Sequence, residues 1–199
     1  MKQNTKERIL QKGAEIVKLK GFHHTGIQEI LTAAGIPKGS FYFYFKNKEE
    51  FGLELIEYYS RDFISTAEKY YHNDNGPFCE RLQNFFSHYV DYYKSSNFTG
   101  GCPVGNLAQE MGDINIRFRV KLNEKMQLMK SKIEMYINMA LQKKEITTDL
   151  NAAHLADFIF NSWQGAILRT KITKNPEPLT TFNEMVFSGL FQVTENTNV

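Results

Sequence analysis

The chain is poor in the residues that staple, ligate or span. It has two cysteines in 199 residues, Cys79 and Cys102, too few for a disulfide framework and in keeping with a reducing compartment. No apolar run approaches the roughly 20 residues that a membrane-spanning helix needs. The opening MKQNTKERIL is charged and lacks the apolar stretch of a secretory leader, so the expected location is the cytoplasm. Without such a leader, the acceptor-like Asn97-Phe98-Thr99 carries no meaning. There are five histidines, but His23 and His24 are adjacent and cannot share a helical face. His72, His88 and His154 lie on separate segments without ligand spacing, so neither a metal nor another cofactor is expected. Phosphate loops, nucleophile elbows and paired-carboxylate patterns are missing, which argues against an enzyme. Strand-like alternation of any length is missing too, as is any internal repeat.

What is present is aromatic and helical. Hydrophobic residues make up 42% of the chain and aromatics 14%, with 16 Phe and 10 Tyr, enough to bury a sizeable core. The net charge of +2 is uneven: residues 1–50 hold nine Lys or Arg against five Asp or Glu, a net of +4, so the remainder carries −2. A basic head on a slightly acidic body suits a nucleic-acid-binding end.

Apolar periodicity predicts an all-α fold of about nine helices. The first starts near Asn4 or Thr5, where Asn4 and Glu7 form a capping pair, and ends before Gly21. Thr25 is the expected N-cap of the second, in a capping box with Gln28, and Ile27, Ile30, Leu31 and Ala34 line one face. Gly35 suits the left-handed residue that ends this helix, and Pro37 opens a short third helix of roughly two turns through Phe45. There Phe41 and Phe45 share an inward face, leaving Lys38, Gly39, Ser40, Tyr42, Phe43 and Tyr44 outward. Asn47 caps a long fourth helix to about Tyr71. Asn-Asp-Asn-Gly-Pro at 73–77 is a break. A fifth helix is expected over Phe78–Lys94 and a short one from Pro103. A long one over about Asn115–Lys143 carries Ile116, Val120, Met126, Met129, Ile133, Tyr136, Ile137 and Ala140. Asp149 or Asn151 starts another, with Leu155, Phe158, Ile159, Ser162, Trp163, Ala166 and Ile167 on its apolar side. Pro176 and Pro178 interrupt before a last helix, and the tail Thr194–Val199 is polar.

Residues 25–48 thus have the layout of a helix-turn-helix, whose second helix enters the DNA major groove. The run of Thr, two apolar residues, Ala-Ala-Gly-Ile, Lys-Gly-Ser, Phe-Tyr-x-Tyr-Phe and x-Asn-Lys-Glu-Glu resembles the N-terminal domain of the TetR family of bacterial repressors. The match reaches back through Ile9, Leu10, Ala14, Gly21 and Phe22. Two positions depart from the family pattern: Pro37 replaces the more frequent Ser or Thr cap, and Tyr44 replaces a frequent His. The segments Gly101–Leu107 and Ser162–Arg169 resemble one branch of that family, which includes repressors responding to reactive electrophiles.

Chemistry and resemblance together assign roles. Thr25 and Lys48, at helix starts, clasp phosphates. Ser40, Tyr42 and Tyr44 offer hydroxyls to phosphates or base edges, Lys38 donates to guanine, Gly39 permits close approach, and Phe43 packs on a thymine methyl or the sugar backbone. The resemblance divides the chain into a DNA-binding domain over 1–48 and a ligand-binding and dimerisation domain over 49–199, with helix 49–71 as the link. It implies a homodimer through the last two helices, operator DNA as partner and a small-molecule or electrophilic effector. A short recognition helix also makes too few contacts to specify an operator alone, which independently favours a dimer.

Cys102 is read two ways. Followed by Pro103, a good first helical residue, it falls at a helix N-cap, where the positive dipole end favours a thiolate sensor. The alternative is a small buried hydrophobe at a tight turn. Cys79, in an apolar stripe, reads as core. Phe86, Tyr89, Tyr93, Phe158 and Trp163 are candidates to line a ligand cavity, though an aromatic stripe is more often core. The competing function classes are a Cys-centred enzyme, with Glu110 and Asp113 near Cys102 but no local His base, and a non-specific architectural DNA binder, which would be more basic throughout.

Overall fold

The computed structural model describes residues 5–73 and 75–193. Among them, nine α-helices follow in chain order: α1 Thr5–Lys20, α2 Ile27–Ala34, α3 Phe41–Tyr44, α4 Lys48–Asn73, α5 Phe78–Ser95, α6 Pro103–Met111, α7 Ile116–Gln142, α8 Ala152–Thr173 and α9 Glu177–Glu184. A 3-10 turn over Lys38–Ser40 leads into α3, and a π turn over Met185–Leu190 extends α9. The expected Asn4 cap, Asp74 of the break and the tail 194–199 lie outside the described residues. The all-α fold is as expected, with one correction. Two strands of two residues each, β1 Ile146–Thr147 and β2 Gln192–Val193, pair antiparallel. A ladder that short leaves no alternation for a sequence pattern to reveal.

Helix ends follow local chemistry. Gly35 adopts φ +63° after α2, and the Ile36 N–H returns to the Leu31 carbonyl at 2.9 Å. Asn47 Oδ1 accepts the Glu50 N–H at 2.8 Å, and Asn151 Oδ1 accepts those of Ala153 and His154. Pro176 and Pro178 stand at the break before the last helix, Pro176 as the N-cap of α9 and Pro178 in its first turn, where a missing N–H costs nothing.

The chain falls into two compact units, residues 1–62 with 102–126 and residues 63–101 with 127–199. In the first, Ile9, Ile30, Phe41, Phe51 and Phe118 are fully buried. Arg8 reaches across to the Ala34 carbonyl at 2.5 Å and caps the C-terminal end of α2. Gly52 is a contact glycine: a Cβ there would lie 2.3 Å from the Phe118 ring and 2.7 Å from that of Phe22. In the second unit, Phe63 and Phe85 pack edge to face at 5.0 Å, and the buried Tyr136 hydroxyl donates to the Ala67 carbonyl at 2.5 Å. Each fully buried Phe contributes about 1.5–3 kcal/mol of apolar burial.

The start of α7 needs a correction. Ile116 and Val120, expected in its buried stripe, are 59% and 60% exposed, while Phe118 and Leu122 are buried. Counting back in sevens and fours from Met129 reaches Leu122 and Phe118, whereas 120 and 116 fall about half a turn away. Both faces are apolar there, so periodicity alone could not choose.

Candidate nucleic-acid interface and effector residues

Two rings set the geometry of the reading surface. Phe41 and Phe45 are buried with centroids 5.2 Å apart, and both pack on Phe51 of α4. With i and i+4 turned inward, the residues between them turn out: Tyr42 is 63% and Phe43 84% exposed. Tyr44 and Ser40 are half-buried, while Lys38 and Gly39 are exposed. An aromatic that exposed has no packing reason to be there. The expected two-turn helix is instead a 3-10 turn over Lys38–Ser40 followed by a single α turn over Phe41–Tyr44.

Thr25 behaves differently from expectation. It is 1% exposed and its hydroxyl donates to the Gly21 carbonyl at 2.7 Å. The N-cap of α2 is Gly26, which has no side chain to cap with, so the capping box with Gln28 does not form. Gly21, at φ +85°, turns its carbonyl toward Thr25 and draws the hydroxyl inward. The first N–H groups of α2 are left without a side-chain cap, the arrangement that favours a phosphate. Sequence reasoning missed Gly26; glycine's tolerance at N-caps was the available signal. Lys46, exposed just ahead of α4, was missed as well.

Lys48 is half-buried at the start of α4. Its ammonium donates to the His23 carbonyl at 3.2 Å and lies 4.7 Å from the Phe22 ring centroid. Burial holds its pKa below the ordinary lysine range, against the opposing pull of the Glu110 carboxylate. Lys48 therefore fixes the corner between α1 and α2 as well as offering charge.

The second constellation divides between the units. Cys102 belongs to the first. It is the N-cap of α6, half-buried, with Pro103 after it, and its Sγ accepts the Gly105 N–H at 3.4 Å. The two preceding glycines, at φ +87° and +66°, make the turn that delivers it there. Cys79 is half-buried too; desolvation, with Glu145 and Glu80 nearby, pushes its thiol up to about 11. The aromatic residues belong to the second unit. Phe86 and Trp163 are fully buried 4.8 Å apart, both pack on Phe182, and Tyr93 lies 6.5 Å from Trp163. Tyr89 is buried beside Phe85 at 5.4 Å. Phe158 does not join them. It is 55% exposed on the opposite face of α8. Trp163 and Ile159 take the inward positions, and 158 is turned roughly 100–140° away from them.

The N-terminal segment matches, over residues 9–55, the pattern described as bacterial regulatory proteins, tetR family. Residues 79–186 match the tetracyclin repressor-like C-terminal domain. The chain belongs to the TetR family.

As a TetR-family protein it is a DNA-binding transcriptional regulator and not an enzyme. It is 32% identical over 191 residues to the HTH-type transcriptional repressor DhaR of Mycobacterium sp. strain GP1, covering 96% of this chain and 94% of that one. The crystal structure of regulatory protein TetR from Rhodobacter sphaeroides is similar with a TM-score of 0.85 at 34% identity, over 93% of this chain and 97% of that chain. Escherichia coli NemR in its reduced form shares the fold with a TM-score of 0.87 at 22% identity, over 96% and 100% of the two chains. No described helix is long and apolar enough to cross a membrane.

Proposed function

We propose that the protein is a homodimeric repressor, acting in the cytoplasm, that binds a palindromic operator through residues 38–44 and is released by an effector. The observation that carries this reading is the outward presentation of Tyr42 and Phe43 by buried Phe41 and Phe45. Lys38, Gly39, Ser40, Tyr42, Phe43 and Tyr44 face the groove. Lys46, Lys48 and the N-terminal amides of α2 take phosphates, which makes affinity fall with salt. The DNA-binding role belongs to the segment 1–48 and effector recognition and dimerisation to 49–199, with helix 49–71 as the link.

Dimerisation is supported by a second apolar face on α8. Phe158, Asn161, Gly165, Leu168 and Ile172 recur at the three-four spacing of a helix seam, and Phe158, Leu168 and Ile172 are 55%, 42% and 71% exposed. Met185, 62% exposed beyond α9, extends the same apolar character. A two-fold pair joined there would present two heads to two half-sites.

The effector acts by binding the DNA-competent and DNA-incompetent states unequally. Two routes remain in play: reaction at the Cys102 thiol, which the α6 N-terminus and the Gly105 N–H favour as thiolate, or reversible binding beside Phe86, Tyr89, Tyr93 and Trp163. A gel shift on the protein's own upstream DNA, with and without a small thiol-reactive electrophile, decides. Release by electrophile that Cys102→Ser prevents establishes the thiol route. Binding indifferent to electrophile moves the search to Trp163 and its neighbours. Absence of any sequence-specific retardation overturns the proposal.

A further inference from the structure

The corner between α1 and α2 is held by a single carboxylate from far along the chain. Glu110, in the last turn of α6, accepts the Phe22 N–H at 2.8 Å through Oε2 and the His23 N–H at 2.6 Å through Oε1. The corner is shaped to receive it: a Cβ on Gly21 would stand 3.2 and 3.3 Å from the two oxygens. Its carbonyls are held as well, Gly21 by the Thr25 hydroxyl at 2.7 Å and His23 by the Lys48 ammonium at 3.2 Å. The Phe22 ring packs on Phe118 at 5.1 Å. Gly26, the N-cap of α2, follows directly, so the direction in which α2 leaves this corner depends on how the corner is held. Every partner belongs to the first compact unit.

We infer that Glu110 is a positioning residue for DNA binding: its carboxylate locks the α1–α2 corner and ties the helix-turn-helix to α6, the helix that begins at Cys102. This rests on the reading of residues 38–44 as the DNA reader. Hydrogen bonds to an ionised carboxylate are short and strong, and a pair on adjacent amides fixes orientation as well as distance. The nine residues of α6 form a rod of roughly 13 Å. A displacement at its Cys102 end therefore reaches the corner through one rigid element.

The test uses the full-length protein and the upstream DNA fragment that the wild type retards. Glu110→Gln keeps shape but turns an amide group toward one of the two N–H donors. Its Phe22 and His23 amides should exchange about tenfold faster and operator affinity should fall about tenfold, with oligomeric state and cooperative melting retained. Glu110→Asp, which keeps the charge at shorter reach, should recover part of that affinity; it also decides the matter if the Gln variant does not fold. Alkylating Cys102 with N-ethylmaleimide should lower wild-type affinity by a larger factor than it lowers that of Glu110→Gln, since both changes act on one link. A folded Glu110→Gln with wild-type operator affinity, or with unchanged exchange at residues 22 and 23, overturns the inference and leaves the proposed function standing. A wild type that retards no DNA specifically defeats both, a result visible before any variant is made.

Discussion

Phe41 and Phe45 stand four residues apart with ring centroids 5.2 Å apart, both closed off from solvent by Phe51. This pair gives one α turn a fixed orientation that it could not hold alone, since a helix of this length is marginal without tertiary packing. The outward direction of Tyr42 and Phe43 follows from it.

Anchor and reader should therefore separate cleanly. Tyr42→Ala or Phe43→Ala should change folding stability by no more than about 0.5 kcal/mol, because both side chains are exposed. Operator affinity should fall by about 1–3 kcal/mol with the oligomeric state intact. Phe41→Ala should instead cost about 3–5 kcal/mol of stability. Urea melts beside operator titrations measure the split. Full operator affinity in Tyr42→Ala would count against the groove assignment.

Gly52 tests the packing behind the head. An exposed helical Gly→Ala change gains about 1 kcal/mol from propensity. At Gly52 the added carbon would meet the Phe118 and Phe22 rings at 2.3 and 2.7 Å, so overpacking outweighs the gain. Gly52→Ala should lower stability by about 1–3 kcal/mol, read from denaturant midpoints.

The open face of α8 predicts a dimer that charge can break. Ile172→Glu, with Phe158→Lys as a second variant, should shift the protein to monomer in sedimentation at micromolar concentration while leaving its helical circular dichroism. Gly165 gives a finer readout, since among the described residues nothing beyond the backbone of its own helix stands within 4 Å of a Cβ there. Gly165→Ala should stabilise an isolated chain by about 1 kcal/mol. If a partner helix packs closely on that face, it should weaken the dimer instead.

The two cysteines should differ in how fast they are alkylated. Burial, with Glu145 and Glu80, raises the Cys79 thiol from the ordinary 9.0 to about 11. A raised value favours the folded chain below about pH 9, and that contribution is lost as pH climbs through 11. At pH 8 iodoacetamide should label Cys102 while sparing Cys79 in the native protein, and both after denaturation, as mass spectrometry would resolve. Labelling of Cys79 at the rate of Cys102 would contradict its raised thiol.

Much of this was legible in the residues because it is local. Gly35, Asn47, Asn151 and Pro103 each act on backbone groups within a few positions, so helix ends could be read along the chain. Phe41 and Phe45 were legible because i and i+4 share a face in any α-helix. The misreadings arose where local rules offered two answers. Thr25 has both a cap and an inward carbonyl within reach, and the start of α7 has apolar residues on both sides. Phe158 belongs to a helix with two apolar faces.

The sequence alone determined the helical class, the helix-turn-helix and its outward residues, and the cysteine at the start of α6, since each rests on spacings of a turn or two. Only the tertiary structure decided which face of α8 is closed by its own core, that Gly52 touches Phe22 and Phe118, and that Glu110 holds the amides of Phe22 and His23. A carboxylate some 87 residues from its donors leaves no periodic trace. Its partners are chosen by how the helices pack, which depends on the whole core at once.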